Sequence, residues 1–140
     1  MGRLFLNHLS IEVAVNEEKF IQAYIASRNG TDNFYFNRFY PKFFYSDGVK
    51  ECAEAGCYWL IDTLGTELPG EFKKRTDYSC SISVAVDEDN QCTITGSFFD
   101  GDPDPYIKHI PYTDMPQGTW NFYVTIEEGG VFRCILLSEY

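Results

Sequence analysis

The chain has 140 residues, 44% of them hydrophobic and 17% aromatic, with a formal net charge of -10 from 21 acidic and 11 basic residues. That length supports one domain, written as 1–140, with a core that needs no disulfide or metal staples. The composition excludes wholesale disorder, and the charge disfavours direct contact with nucleic acid or anionic membrane while favouring basic protein surfaces.

Leu9 to Val15 alternate apolar and polar residues, which predicts a short strand. Asn16 then offers an N-cap, and Phe20, Ile21, Tyr24 and Ile25 follow helical spacing up to Asn29-Gly30, a natural stop. Residues 1–32 are expected to form a strand and a helix ahead of the remainder at 33–140. The aromatic run Phe34 to Tyr45 is interrupted by Pro41, which prevents one continuous helix or central strand.

Ser46 is an N-cap, and Val49, Cys52, Ala53, Gly56, Trp59, Leu60, Thr63 and Leu64 repeat at helical spacing. This predicts an amphipathic helix from Ser46 to Leu64, closed by Gly65 and Pro69, whose small residues allow it to lie close to a sheet. Beyond Pro69 the period changes to two, predicting strands at Tyr78–Val86, Cys92–Phe98, Tyr106–Tyr112, Trp120–Ile126 and Val131–Leu137. Short connections imply antiparallel pairing. The expected fold class is α+β: N-terminal helices packed on a four- to five-stranded antiparallel β-meander.

A meander puts alternate turns at the same end. Asp100, Asp102 and Asp104 should therefore share one end with Glu127 and Glu128, while Asp87, Glu88 and Asp89 share the other with Asp114 and Glu139. A strand length, about 20–25 Å, separates the two acidic poles. Each pole is a candidate contact for a basic groove on another protein. The same residues also have an ordinary explanation, since Asp and Asn build turns and exposed acid keeps a protein soluble. A second candidate contact is the aromatic run, where Tyr35, Arg38, Tyr40 and Tyr45 combine rings with a cation as interface hot spots do.

No motif for catalysis accompanies these features. Gly96-Ser97 leads into Phe98-Phe99 rather than a helix, so it is no nucleophile elbow. Phosphate-loop, dinucleotide and zinc-protease patterns do not occur. Asp100 to Asp104 begins like a calcium loop, but Pro105 and Pro111 stand where Gly and Glu are required. Cys52, Cys57, Cys80, Cys92 and Cys134 have no zinc spacing; their odd number and the lack of a secretory leader point to reduced thiols in a cytoplasmic setting. We expect no metal, no cofactor and no membrane span. A competing reading is a small enzyme or ligand-binding module using Asp62, His109, Asp114 and Glu139; a third is a self-associating structural protein.

Four strings, Tyr45-Ser-Asp-Gly-Val-Lys50, Ala55-Gly-Cys-Tyr-Trp-Leu-Ile-Asp62, Tyr112-Thr-Asp-Met-Pro116 and Leu136-Leu-Ser-Glu-Tyr140, resemble an uncharacterised bacterial family. Its members are small proteins of phage, plasmid and integrative-element genomes with motifs YTDGVK, AGAYWLID, YTDFP and LPSEY in that order. The resemblance covers about residues 33–140, departing at Ser46, Cys57, Met115 and Leu137. It implies a mobile-element origin and no particular activity. In this setting Ser46 and Asp47 cap the helix, Tyr58, Trp59 and Leu60 pack it, Asp114 and Pro116 shape a turn, and Asp62 accepts a hydrogen bond from Tyr58, Trp59 or the Ser138–Tyr140 segment. Together these features predict an acidic, non-enzymatic protein that occupies a basic surface on a host protein, as an inhibitor of a nucleic-acid-handling or anti-CRISPR-like defence target.

Overall fold

The computed structural model describes residues 17–25 and 33–140. The expected strand at Leu9–Val15, the Asn16 cap and the Asn29-Gly30 stop lie outside them. Residues 17–25 are helical (α1). Then follow β1 (Phe34–Phe36), β2 (Phe43–Ser46), α2 (Asp47–Cys52), a π turn (Ala53–Cys57) and α3 (Tyr58–Lys73). The chain continues through β3 (Ser79–Val86), β4 (Cys92–Ser97), β5 (Tyr106–Ile110), β6 (Gly118–Glu127) and β7 (Val131–Leu136), and a 3₁₀ turn spans Leu137–Glu139.

The class is α+β, as expected, but the sheet is not a four- or five-stranded meander. Among the described residues it has seven strands in the order β1-β2-β7-β6-β3-β4-β5. The chain leaves β5 at one edge and returns across the sheet to pair β6 with β3, Val86 opposite Gly118 and Ser79 opposite Thr125. The two added strands come from the aromatic run. Pro41 sits in the loop joining them, where its missing N–H costs the ladder nothing. β2 joins β7 in parallel, Phe43 beside Phe132 and Tyr45 beside Cys134, while the other pairings are antiparallel.

Alternation assigns the two faces. Cys80, Ile82, Val84 and Val86 of β3, Ile94 of β4, Phe122 and Val124 of β6 and Leu136 of β7 are all buried under the helices. Burying such side chains stabilises by about 1.5–3 kcal/mol each, less the entropy of ordering them. On the opposite face Ser79, Ser81, Ser83, Thr93 and Thr95 are exposed or half-buried. Phe72 of α3 sits edge-on to Phe98 at 5.0 Å and packs on Phe132 at 5.4 Å, tying the helix to the sheet.

The predicted Ser46–Leu64 helix is two helices. Ser46 caps α2, its Oγ accepting from Val49 N at 3.2 Å. The register breaks at Gly56, whose φ of 135° lies outside helical space and favours glycine. Restarted as α3, the helix runs through both expected stops to Lys73. Gly65 stays helical because the Tyr40 ring lies against it; a Cβ there would stand 3.1 Å from Tyr40 Cγ. Pro69 costs one backbone hydrogen bond, which the packing of Leu64, Leu68 and Phe72 on the sheet outweighs.

Candidate functional site

The registers define two ends. At the first end lie the 99–105 loop, the 127–130 turn and the C-terminus of α3, because Gly96 pairs with Tyr106 and Glu127 with Val131. At the second lie the 87–91 turn, the 111–117 loop and the N-terminus of α2, because Cys92 pairs with Ile110 and Val86 with Gly118. The turns are distributed as a meander would distribute them, since the return to β6 preserves strand direction.

The first end is partly neutralised from within. The Asp102 side chain is 1% exposed and faces Arg75 at 3.5 Å. It also accepts from Phe98 N at 3.0 Å and Asp104 N at 2.9 Å. Those backbone donors, with Arg75 behind them, hold its carboxyl below the usual range. Arg75 also reaches Asp104 O at 2.7 Å and stacks 4.0 Å above the Phe98 ring. Lys74 and Arg75 both meet Glu71. Asp100 and Asp104 are exposed in the loop, and Glu127 accepts the Thr125 hydroxyl at 2.8 Å. Glu128 lies exposed in its turn.

The second end is different. Asp87 Oδ1 accepts from Asp89 N and Gln91 N at 2.9 Å each and so shapes the turn, in which Asp87, Glu88 and Asp89 are all exposed. Thr113 N donates to Asn90 O at 2.9 Å and ties the 111–117 loop to this turn. Between that loop and the helices lies a cleft of about 380 Å³, lined by Gly56, Trp59, Thr63, Ile110, Tyr112 and Asp114. Asp114 Oδ1 accepts the Tyr112 hydroxyl at 2.9 Å. Tyr58 and Tyr112, 46% and 62% exposed, offer rings near an acidic rim that no Lys or Arg between residues 76 and 107 or 109 and 132 offsets. The π turn aims the cleft wall: Gly56 re-phases the helix so that Trp59 and Thr63 face the 112–114 loop.

The four residues of the enzymatic reading do not converge. Only Asp114 lines the cleft. Glu139 is buried, its Oε1 accepting from Ser46 Oγ at 2.6 Å and Leu136 N at 2.8 Å, and its Oε2 from Gly48 N at 3.2 Å. It therefore does not add charge to the second end's surface. His109 is exposed on the edge strand β5, its Nδ1 3.1 Å from Thr93 Oγ1. Asp62 is exposed on α3. The Ser138–Tyr140 segment, an expected partner for it, is anchored at Ser46 and Gly48 through Glu139 instead. Among the described residues no group of three His, Cys, Asp or Glu side chains suits a metal ion.

The aromatic run is also rearranged. Tyr35 lies opposite Tyr45, so both face the helices. Tyr45 is buried, and the Tyr35 hydroxyl donates to Asp47 at 2.8 Å, a bond that raises its pKa. Tyr40 packs on Gly65, and Arg38 is exposed in the loop. Phe36 and Phe39 are the exposed rings, Phe36 because alternation turns it to the other face. Tyr58, expected to pack the helix, is exposed because the break at Gly56 rotates it outward.

A second, larger cleft of about 550 Å³ lies at the first end, between the loop joining β1 and β2, α3 and the start of β7. Sequence reasoning missed it because its walls come from three separated segments.

The chain belongs to the family of unknown function DUF6876, which matches residues 19–140. The match starts earlier than the motifs suggested and takes in most of the residues of α1. Neither a curated protein nor a solved structure matches the chain.

Proposed function

We propose that the chain is a non-catalytic binding protein whose second end, the acidic cleft beside Asp114, receives a basic side chain from a partner protein. The observation that carries the reading is the meeting of Trp59, Tyr112 and Asp114 around one cleft, whose 111–117 loop is tied through Thr113 N and Asn90 O to the turn that carries Glu88 and Asp89. A guanidinium or ammonium entering there would lie against aromatic faces and close on a carboxylate, the combination that makes Arg and Lys anchors strong. The outer acids steer a cationic surface toward it.

Two of the strings that carry the resemblance to phage- and plasmid-borne proteins, Ala55–Asp62 and Tyr112–Pro116, supply most of this cleft. In that setting the partner is a host protein that handles nucleic acid, such as a defence complex, and the protein acts in the cytoplasm by masking a phosphate-binding surface. The first end contributes less, because Lys73, Lys74 and Arg75 stand among its acids.

The test is capture from a host lysate at low and raised salt, using the wild-type chain and two charge-reversed variants. E88K/D89K/D114K should release a salt-labile, Lys- and Arg-rich partner, while D100K/E127K/E128K should retain it. Equal retention by both variants would overturn the reading.

A further inference from the structure

The 550 Å³ cleft at the first end has properties the acidic end lacks. Its walls are Tyr40, Phe43, Pro69, Phe72, Ile126 and Phe132, and Phe39, 77% exposed, stands at its mouth. The surrounding backbone has little need of water: Phe132 N donates to Lys42 O at 2.7 Å, Phe43 N to Tyr40 O at 2.9 Å and Tyr40 N to Asn37 O at 2.8 Å. Phe43 and Phe132 form the floor, stacked at 6.4 Å, with Phe72 packed against Phe132 at 5.4 Å. A concavity of this size and apolar character is in the range of small-molecule sites.

Charge selects the occupant. In a chain of net charge -10, the charged residues lining this cleft are Lys42 and Lys73, with no carboxylate among them. Neither lysine has an ion-pair partner among the described residues, whereas Lys50, Lys74, Arg75 and Lys108 all do. The nearest acids of the adjoining turn, Glu127 and Glu128, do not line the cleft, and Glu127 is bonded to Thr125.

We propose that this cleft binds a small anionic amphiphile: an unbranched or lightly branched apolar body, of the fatty-acid class, ending in a single carboxylate. The body lies on Phe43, Phe72 and Phe132, and the carboxylate sits at the mouth between Lys42 and Lys73. The site lies at the opposite end of the sheet from the acidic cleft and does not rest on its role.

Decanoate, decanol and decylamine, each kept below its aggregation concentration, provide the probes, with binding followed by calorimetry and by amide NMR shifts. Decanoate should bind most tightly and decylamine least, with shifts centred on Gly65, Lys73 and Gly130. K42Q/K73Q, two surface changes that leave the core untouched, should weaken decanoate about tenfold and leave decanol unchanged. Ile126→Trp, checked by circular dichroism for folding, should weaken decanoate and decanol together.

Equal binding of decanoate and decylamine, shifts centred on the 112–114 loop, or decanoate binding indifferent to K42Q/K73Q would each overturn the proposal. So would lysine-dependent binding to phosphatidylglycerol vesicles without binding of free decanoate.

Discussion

Glu139 and Ser46, 93 residues apart, are joined by a 2.6 Å hydrogen bond in which the serine hydroxyl donates to the buried carboxylate. The same carboxylate takes the N–H groups of Gly48 and Leu136, so one acidic side chain fastens the start of α2 to the end of β7. Glu139→Ala leaves those three buried donors without acceptors. It should cost about 2–4 kcal/mol in chemical denaturation, whereas Tyr140→Ala, which removes an exposed ring resting on Tyr123, should cost about 0.5 kcal/mol or less.

Two glycines close in sequence should respond in opposite directions. At Gly56 an added methyl would meet open space, but φ is 135°, so Gly56→Ala should destabilise by about 1–3 kcal/mol through backbone strain alone. Gly70 is exposed within α3 and also has open space, so Gly70→Ala should stabilise by about 0.5–1 kcal/mol. Thermal midpoints of the two variants decide the matter.

Gly96 presents the contrasting case of steric limitation. A Cβ there would lie 2.9 Å from Cys80 Sγ and 3.2 Å from Ile82 Cδ1. Gly96→Ala should cost about 1–3 kcal/mol, and Cys80→Ala should return part of that loss in the double variant. A double-mutant cycle by urea unfolding measures the coupling.

Acid stability follows from two anchored carboxylates. Glu67 is held below its ordinary 4.5 first by Lys108 and then by Tyr106, each at 2.6 Å, and Asp102 below its ordinary 3.8 by the Phe98 and Asp104 amides. Because both folded values are depressed, their contribution is complete above the ordinary values and disappears as pH falls through the folded ones. The unfolding free energy should therefore show no loss from these two groups until pH reaches about 4.5, then fall. Glu67→Gln should flatten the upper part of that decline and Asp102→Asn the lower part. Curves of stability against pH for the three proteins test the assignment.

Burial sets the thiol chemistry. It pushes Cys52 and Cys80 up to about 12 and Cys92 to about 11, and moves Cys57 and Cys134 upward as well. A thiol reagent at neutral pH should label none of the five until the chain opens, and then all five together in denaturant. Fast labelling of one cysteine in the native protein would contradict its placement.

The β3 to β7 strands are legible in the sequence because alternation and turn residues agree there, as at Asp87 to Asn90, where Asn90 adopts a φ of 61°. The helix at Ser46 is legible from its cap. What stays hidden depends on contacts between distant segments. Gly65 and Pro69 signal a stop locally, yet the Tyr40 ring and the sheet beneath hold the helix through them. Phe34 to Tyr45 carries no clean period because neighbouring residues on both faces are apolar. Its strands exist through β7, and no local pattern announces a parallel partner. Asp114 stands out as a candidate from sequence; its cleft companions Trp59 and Tyr112 read only as a helix-packing residue and the end of a strand, because a glycine at helical spacing gives no local sign that Gly56 breaks the helix. Asp102 and Glu139 read as surface charge, since their burial depends on Arg75 and Ser46 arriving from elsewhere in the chain.

The parallel seam between β2 and β7 also bears on how the protein is made. During synthesis the Phe-rich β1–β2 pair emerges well before Val131–Leu136, the strand it must dock against. Until that strand is made those rings lack their parallel partner, which slows maturation and leaves them open to capture by chaperones or by one another. A nascent chain stalled before Val131 should therefore be held by a chaperone or aggregate, and release past Leu136 should end both fates.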